Sequence, residues 1–426
     1  MDKYSIFRAC ICRLAVYLAC MKTDGWVYFL SYDGLTDPLG QSQILPYMEG
    51  LAKRGFKLMI FSCEKKNRFG LFGSEIQTRL KKAGIEWEFI YYTKKPPILS
   101  TLYDLFRLKG RINRKLKSHP PQIIHGRSVL PSLIGFRISV KTGARFLFDM
   151  RGFWADEKAD AGYWNLKNPI YRRVYSFFRK KELLFFKESH ALVSLTEMGV
   201  KRIAKECPSH AEATVIPCSL DVSGFKKDFS EEREKLRLEW GFNSGNKILV
   251  YAGSLGGRYR LSEMFLFFSK WHAKEPEARF VFLSNSPEKL IRETASALNV
   301  SSDLYRIRTV VFSEMPRNLS ACDFGIFFYH PGNSGEGVSP TKFGEYLAAG
   351  LPVIANPDLG DVEDIVKRTG CGILVNPDSL ESMNDAVAKM EREKFRDRDY
   401  FLKVAAEEFG MEKALDKYES VYQKLM

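Results

Sequence analysis

At 426 residues the chain exceeds what one hydrophobic core usually organises, so two domains are expected. Its 45% apolar and 27% charged residues exclude a chain dominated by disorder. A formal net charge of +14 points to anionic partners: phosphorylated small molecules, lipid headgroups or nucleic acid.

Residues 1–20 precede the first strand-like run. They are apolar but carry Arg8 and Arg13, and they are too short and too charged for a membrane span. An interfacial helix, an unordered extension, or a start placed too early with Met21 as the true first residue all fit, the last two better. From residue 26 onward, short apolar runs alternate with amphipathic stretches. Residues 26–32, 57–63, 85–92, 122–125, 145–149 and 191–195 read as strands, with helices over 41–54, 102–116 and 130–140. The rhythm restarts after Pro217. Strands are expected at 247–252, 279–283, 309–312, 324–329, 352–355 and 372–375, with helices at 262–271, 287–298, 341–349 and 362–367. A last helix is expected over 411–425.

Strand alternating with helix argues for an α/β protein with two doubly wound, Rossmann-like domains. The expected division is an extension over 1–20, an N-terminal domain over 21–218, a C-terminal domain over 219–405 and a closing helix over 406–426. Residues 216–230, with Pro217, Ser219 and Gly224, are the linker candidate. The eight cysteines are scattered, without C-x-x-C or Cys/His pairing, which fits a reduced, cytoplasmic setting better than a disulfide framework or zinc site.

In open parallel sheets, ligands bind beyond the carboxyl ends of the strands. Polar residues cluster there: Asp33-Gly34, His125-Gly126-Arg127, Asp149-Met150-Arg151-Gly152, Gly253-Ser254 and His330-Pro331-Gly332. Two sheets facing each other by those ends would enclose one interdomain cleft, which suits a bisubstrate transferase. Gly40 and Gly253 each sit between a strand and a helix, where a backbone without Cβ lets amides approach an anion.

Residues 335–354 carry the most information. Pro340 fits the first turn of a helix that Gly350-Leu351-Pro352 ends, and Thr341 and Lys342 lie in that turn. The partial positive charge of a helix start, with the full charge of Lys342, would hold a diphosphate. Glu345, one turn on, is placed to accept hydrogen bonds from a ribose. A solvated lysine and glutamate on a surface helix is the competing account.

The run Ser339-Pro340-x-Lys342-x-x-Glu345-Tyr346-Leu347-Ala348-x-Gly350-x-Pro352-Val353-Ile354 resembles the donor-binding motif of the retaining GT-B glycosyltransferases of family 4. Other segments resemble that family in its order, among them Asp37-Pro38-Leu39-Gly40-Gln41-Ser42, Ile124-His125-Gly126-Arg127, Asp149-Met150-Arg151-Gly152-Phe153-Trp154 and Tyr251-Ala252-Gly253-Ser254. The resemblance implies the GT-B fold, a UDP- or GDP-linked sugar donor, no cofactor, and metal-independent transfer with retained anomeric configuration. It implies an acceptor-binding N-terminal domain, a donor-binding C-terminal one, and His125 at the transferred sugar, where a buried histidine satisfied by backbone is the competing account. Arg151 and Glu336 are the other catalytic candidates, and a surface salt-bridge loop competes for Arg151, Asp156 and Glu157. Gly40, Gly253, Ser254, Arg258, Arg260, Ser339, Pro340, Thr341, Lys342 and Glu345 would bind the donor, and Arg127, Asp156 and Glu157 the acceptor. The family's second glutamate falls on Gly337, one position from Glu336, and its basic residue after the first glycine falls on Ser254.

Asp397-Arg398-Asp399 matches the short acidic motif of metal-dependent glycosyltransferases, but it lies in a charged helical run with no strand to aim it, so metal binding is not expected there. Residues 94–117 and 167–187 interleave basic and aromatic side chains. They suit an anionic membrane surface, peripheral to the inner face of a cytoplasmic membrane, or equally core aromatics under a solvated basic face. No nucleic-acid-binding module is recognisable. The main reading is hexosyl-type transfer to a saccharide or lipid-linked acceptor in polysaccharide synthesis. A nucleotide-sugar epimerase or hydrolase, or a non-catalytic binder, are the alternatives, and turnover of donor alone would discriminate them.

Overall fold

The computed structural model describes residues 25–96 and 98–426. The expectations for residues 1–20 lie outside the described residues. Two parallel-sheet, Rossmann-like domains are present. The first sheet contains β1 (Trp26–Ser31), β2 (Lys57–Glu64), β3 (Glu86–Tyr91), β4 (Pro121–Arg127), β5 (Arg145–Asp149), β6 (Ala191–Ser194) and β7 (Ala213–Val215), in the order β3-β2-β1-β4-β5-β6-β7. The second contains β8 (Lys247–Ala252), β9 (Ala278–Leu283), β10 (Tyr305–Arg308), β11 (Phe324–Phe327), β12 (Val353–Ala355) and β13 (Gly372–Leu374), in the order β10-β9-β8-β11-β12-β13.

Each sheet thus winds one way, then reverses beside its first strand, creating a switch point between β1 and β4 and another between β8 and β11. The strands are near-continuous apolar runs because helices cover both faces. In β8 every residue after Lys247 is buried, and Phe265, Phe268 and Phe280 stack behind it in one core.

Packing divides the chain into two compact units: the described part of Met1–Leu147 with Tyr418–Met426, and Phe148–Lys417. In the first unit, Tyr418 and Tyr422, from the closing Met411–Leu425 helix, pack edge-on against Tyr47 and Phe56. The switch point of the second sheet, the loop that follows β5 and the Thr341–Ala348 helix all belong to the second unit.

Two expected elements are corrected. The strand expected at 309–312 is instead β10 at Tyr305–Arg308. Val311 and Phe312 are exposed on the surface, so an apolar run there marked no core, while the arginines of Tyr305-Arg306-Ile307-Arg308 disguised a real strand. The helix expected over 41–54 is two, Pro38–Gln43 and Leu45–Lys53, broken at Ile44, whose φ of −128° leaves the helical range. Gly40 therefore lies inside a short helix rather than in the turn before it.

Candidate functional site

The Thr341–Ala348 helix is set by its ends and by one clasp. Pro340 has extended backbone and stands just before the helix rather than inside its first turn, and Gly350 ends it with a φ of +83°. Tyr346 fixes its pose: the backbone N–H of Ala252, at the end of β8, donates to Tyr346 Oη at 2.7 Å. The Tyr346 ring lies where a side chain at Gly325 would be.

This clasp brings Lys342 under the loop that follows β8. Its side chain is buried, and Nζ stands 3.9 Å from the Tyr251 ring centroid and 4.0 Å from that of Tyr259. Among the described residues no acceptor of good geometry reaches that amine. Burial holds Lys342 below the usual lysine range, against the opposite pull of Tyr259 and Glu345. Gly253, at φ +113°, borders Nζ: a Cβ built there would lie 3.5 Å from the amine. With only hydrogen at that position, no side chain stands over the charge. Tyr251 Oη donates to the carbonyl of Ser254 at 2.9 Å, and Tyr259 Oη lies 3.1 Å from Tyr329 Oη, so both rings are held.

Glu345 is half-buried on the same helix, and burial pushes its carboxyl up to about 7, with Lys342 acting the other way. The unit therefore keeps a cation and a carboxyl, one helical turn apart, in an environment that disfavours both charges. Such an arrangement is poised for a ligand that supplies the missing partners.

The other predicted residues of this unit have distinct places. Ser339 Oγ accepts from the Cys218 backbone N–H at 3.1 Å. Ser254 is exposed and Thr341 half-buried at the helix start. Arg258 reaches Glu157 at 3.3 Å, while burial raises the Glu157 carboxyl and Arg258 and Lys158 lower it. Arg260 is committed elsewhere: it forks onto both carboxylate oxygens of Asp378 and bonds Glu263 at 2.8 Å. It is not available to supply charge to the loop. Arg151 Nη2 lies 3.5 Å from Cys218 Sγ, and its Nη1 3.6 Å from Asp149. Asp156 is buried, accepting from Tyr175 Oη at 2.6 Å and from Arg202 at 2.5 Å, which makes it a structural acceptor. Glu336 is half-exposed, with a carboxylate oxygen 3.5 Å from Arg202.

Sequence reading missed Arg202 altogether. It pairs with Asp156, Glu206 and Glu336 and lies 3.9 Å over the Phe153 ring, while Thr196 Oγ1 donates to the Glu336 carbonyl at 2.5 Å. Asp361 accepts from the Glu197 and Met198 N–H groups. These contacts tie the segment after β6 to the loop before the Thr341–Ala348 helix through Glu336, and to the segment after β12 through Asp361. An arginine at one turn from a glutamate on an amphipathic helix looks like a surface pair, so no local signal marked it. The tyrosine cage was equally silent, since Tyr251 reads as core strand.

In the first unit, His125 is fully buried in β4. Its Nδ1 lies 2.7 Å from Tyr422 Oη, and its ring is bracketed by Phe29 and Tyr418. Arg127, also buried, bonds Asp33 at 2.6 Å, joining the carboxyl ends of β4 and β1. The Glu64 carboxylate takes the Leu35 N–H at 2.7 Å and the Thr36 N–H at 3.1 Å, shaping the turn that leads to Gly40. A Cβ at Gly40 would lie 2.1 Å from the Gly34 carbonyl oxygen, so glycine there serves close backbone packing.

Within the Asp397-Arg398-Asp399 run, two residues have structural partners. Asp397 caps the Arg398–Phe409 helix by accepting from the Tyr400 N–H at 2.9 Å, and Arg398 donates to the Phe225 and Lys227 carbonyls.

Two Rossmann-like parallel sheets, with a lysine and a carboxyl on the helix that follows β11, define a chain of the GT-B architecture. Residues 232–407 match the family model described as glycosyl transferases group 1. Among solved structures, the chain is similar to sucrose-phosphate synthase from Thermosynechococcus elongatus, at 13% identity, TM-score 0.67, with 94% of this chain and 99% of that one covered. It is likewise similar to the Anabaena protein HepE in complex with UDP and glucose, at 12% identity, TM-score 0.67, covering 94% and 100%. A glycosyltransferase from Rickettsia africae follows at 16% identity, TM-score 0.66, covering 95% and 99%. No protein with a curated description matches the sequence.

Proposed function

We propose that the chain is a glycosyltransferase that moves a sugar from a nucleotide-diphosphate donor to a saccharide or lipid-linked acceptor. The observation that carries this reading is the caged Lys342 amine. It is buried, has no hydrogen-bond acceptor of good geometry among the described residues, and lies at the start of a helix beside Gly253. A diphosphate would supply the acceptors it lacks, together with those needed by the helix-start amides. Glu345 would accept from the ribose hydroxyls. The match of residues 232–407 to the glycosyl transferases group 1 model supports the reading, as do structural neighbours solved with UDP and UDP-glucose.

In this mechanism charge develops on the leaving diphosphate as the glycosidic bond breaks. Lys342 and the helix N-terminus would stabilise it without reorganising. Metal-independent, anomer-retaining transfer, in the synthesis of a surface polysaccharide, is the form that the motif from Ser339 to Ile354 supports. In this proposal Lys342 meets the donor charge, and Asp397 of the acidic run caps a helix.

Ligand-dependent melting tests the reading. A donor at about a hundred times its Kd adds about 2.7 kcal/mol of stability. UDP- or GDP-linked sugars should raise the melting temperature, and the free diphosphates more than the monophosphates. A panel in which no diphosphate of either base moves the melting temperature overturns the proposed site.

A further inference from the structure

The helix Leu99–Lys115 of the first unit has two apolar faces where its packing requires one. Ser100, Asp104, Leu105, Leu108 and Ile112 turn inward and are buried. Leu99, Leu102, Tyr103 and Phe106, at the spacing of a second helical stripe, turn outward, with Leu102 at 58% and Phe106 at 73% exposure. Ile98, just before the helix, is also exposed. Single exposed apolar residues are ordinary, but an outward stripe spanning two turns is not.

Arg111 and Lys115 of this helix pair with Glu88 and Glu86, but the unpaired charges flanking the stripe have one sign. Lys94, Lys95, Lys109, Arg114 and Lys117 are exposed and form no ion pair among the described residues. The lone acidic residue between 94 and 117 is Asp104, and it is buried, accepting from the Thr93 N–H at 2.9 Å and from Tyr32 Oη at 3.2 Å. No carboxylate of this segment therefore faces solvent. The other basic-aromatic segment differs. Along the Pro169–Glu188 helix Phe185 and Phe186 are buried, Phe178 packs on Trp154 and Trp164, Tyr175 is bonded to Asp156, and Phe177 alone among the aromatics is exposed. There most of the aromatics are buried or engaged by other side chains.

We propose that the Leu99–Lys115 helix, with Lys94, Lys95 and Ile98 before it, is a docking face for an anionic lipid bilayer. Its apolar stripe enters the headgroup boundary while the flanking cations meet lipid phosphates. This combination of apolar stripe and basic rim is what an interfacial helix needs. A second copy of the chain fits poorly, because two faces of unpaired cations would repel. The inference is independent of the donor site, which belongs to the other unit.

The test is co-sedimentation of the full chain with vesicles of phosphatidylcholine alone and of phosphatidylcholine mixed with phosphatidylglycerol. Binding is expected only to the mixed vesicles, and it should weaken as salt rises. Leu102→Asp with Phe106→Asp should abolish it. Lys109→Glu with Arg114→Glu should weaken it at least about twentyfold, since each cation at a leaflet is worth about fivefold. Leu238→Asp, equally exposed on the second unit, should bind like the parent. All four side chains changed in the helix variants are exposed, so melting temperatures should hold, and the UDP-induced shift should be the same in every variant. Equal binding to neutral vesicles, or unchanged binding by Leu102→Asp with Phe106→Asp, overturns the proposal. So does a dimer in solution that those two substitutions split while the parent ignores lipid.

Discussion

Replacing Lys342 by methionine should make the empty protein more stable and the diphosphate complex weaker. Methionine keeps the length of the stem and removes the charge. In the parent, the buried ammonium has lost its hydration, a penalty of several kcal/mol for a buried ion. The two tyrosine faces, at 3.9 and 4.0 Å, return about 0.5–2 kcal/mol each. The balance favours methionine by something on the order of 1 kcal/mol, which for a large domain is about 2–4 °C in melting temperature. Binding moves the other way. Loss of a charge-assisted hydrogen bond costs about 1.5–3 kcal/mol, or roughly ten- to over a hundredfold in Kd for UDP. The pH dependence carries a further sign. Lys342 lies below free lysine, so between its two values the folded state holds fewer protons than the unfolded one. Parental stability therefore rises with pH across that window, and its deficit against Lys342→Met closes. Differential scanning calorimetry with and without UDP, over a pH series, measures all three effects. An unchanged UDP affinity in Lys342→Met would refute the assignment of that amine to the diphosphate.

Glu345→Gln should separate from the parent in an acid-side titration. Because the folded carboxyl sits at about 7 against an ordinary 4.5, the native state holds the extra proton between those values. Parental stability should thus fall relative to Glu345→Gln as pH rises through that window, by about 1–3 kcal/mol after allowing for partial exposure; parallel stability curves would remove the perturbed carboxyl. Two glycine substitutions should have opposite signs in urea unfolding. Gly40→Ala forces a Cβ to 2.1 Å from the Gly34 carbonyl and 2.6 Å from the Leu35 Cα, both backbone, and should destabilise by about 1–3 kcal/mol or more. Gly70→Ala, in the Lys66–Lys82 helix with nothing within 4 Å of the new methyl, should stabilise by about 0.5–1 kcal/mol, and equal effects at the two sites would contradict the packing described.

What the chain order alone determined was the rhythm. Periodic apolar runs separated by amphipathic stretches specify strand and helix locally, and the restart of that rhythm after Pro217 specified two sheets. The proposed donor motif was equally legible, because a helix start, its lysine and its glutamate lie within a few residues of one another. Tertiary structure decided everything that depends on residues distant in sequence. Arg260 and Arg258 look alike two positions apart, yet Asp378 claims the first and Glu157 the second. Lys342 reads as a solvated surface lysine until Tyr251 and Tyr259 close over it and strip its water. The apolar stripe from Leu99 to Phe106 reads as core until the inward face of its helix proves already filled by Leu105, Leu108 and Ile112. Periodicity records which side chains share a face. Whether that face meets protein or water, and whether a charge there meets a partner, depends on what the rest of the chain packs against it.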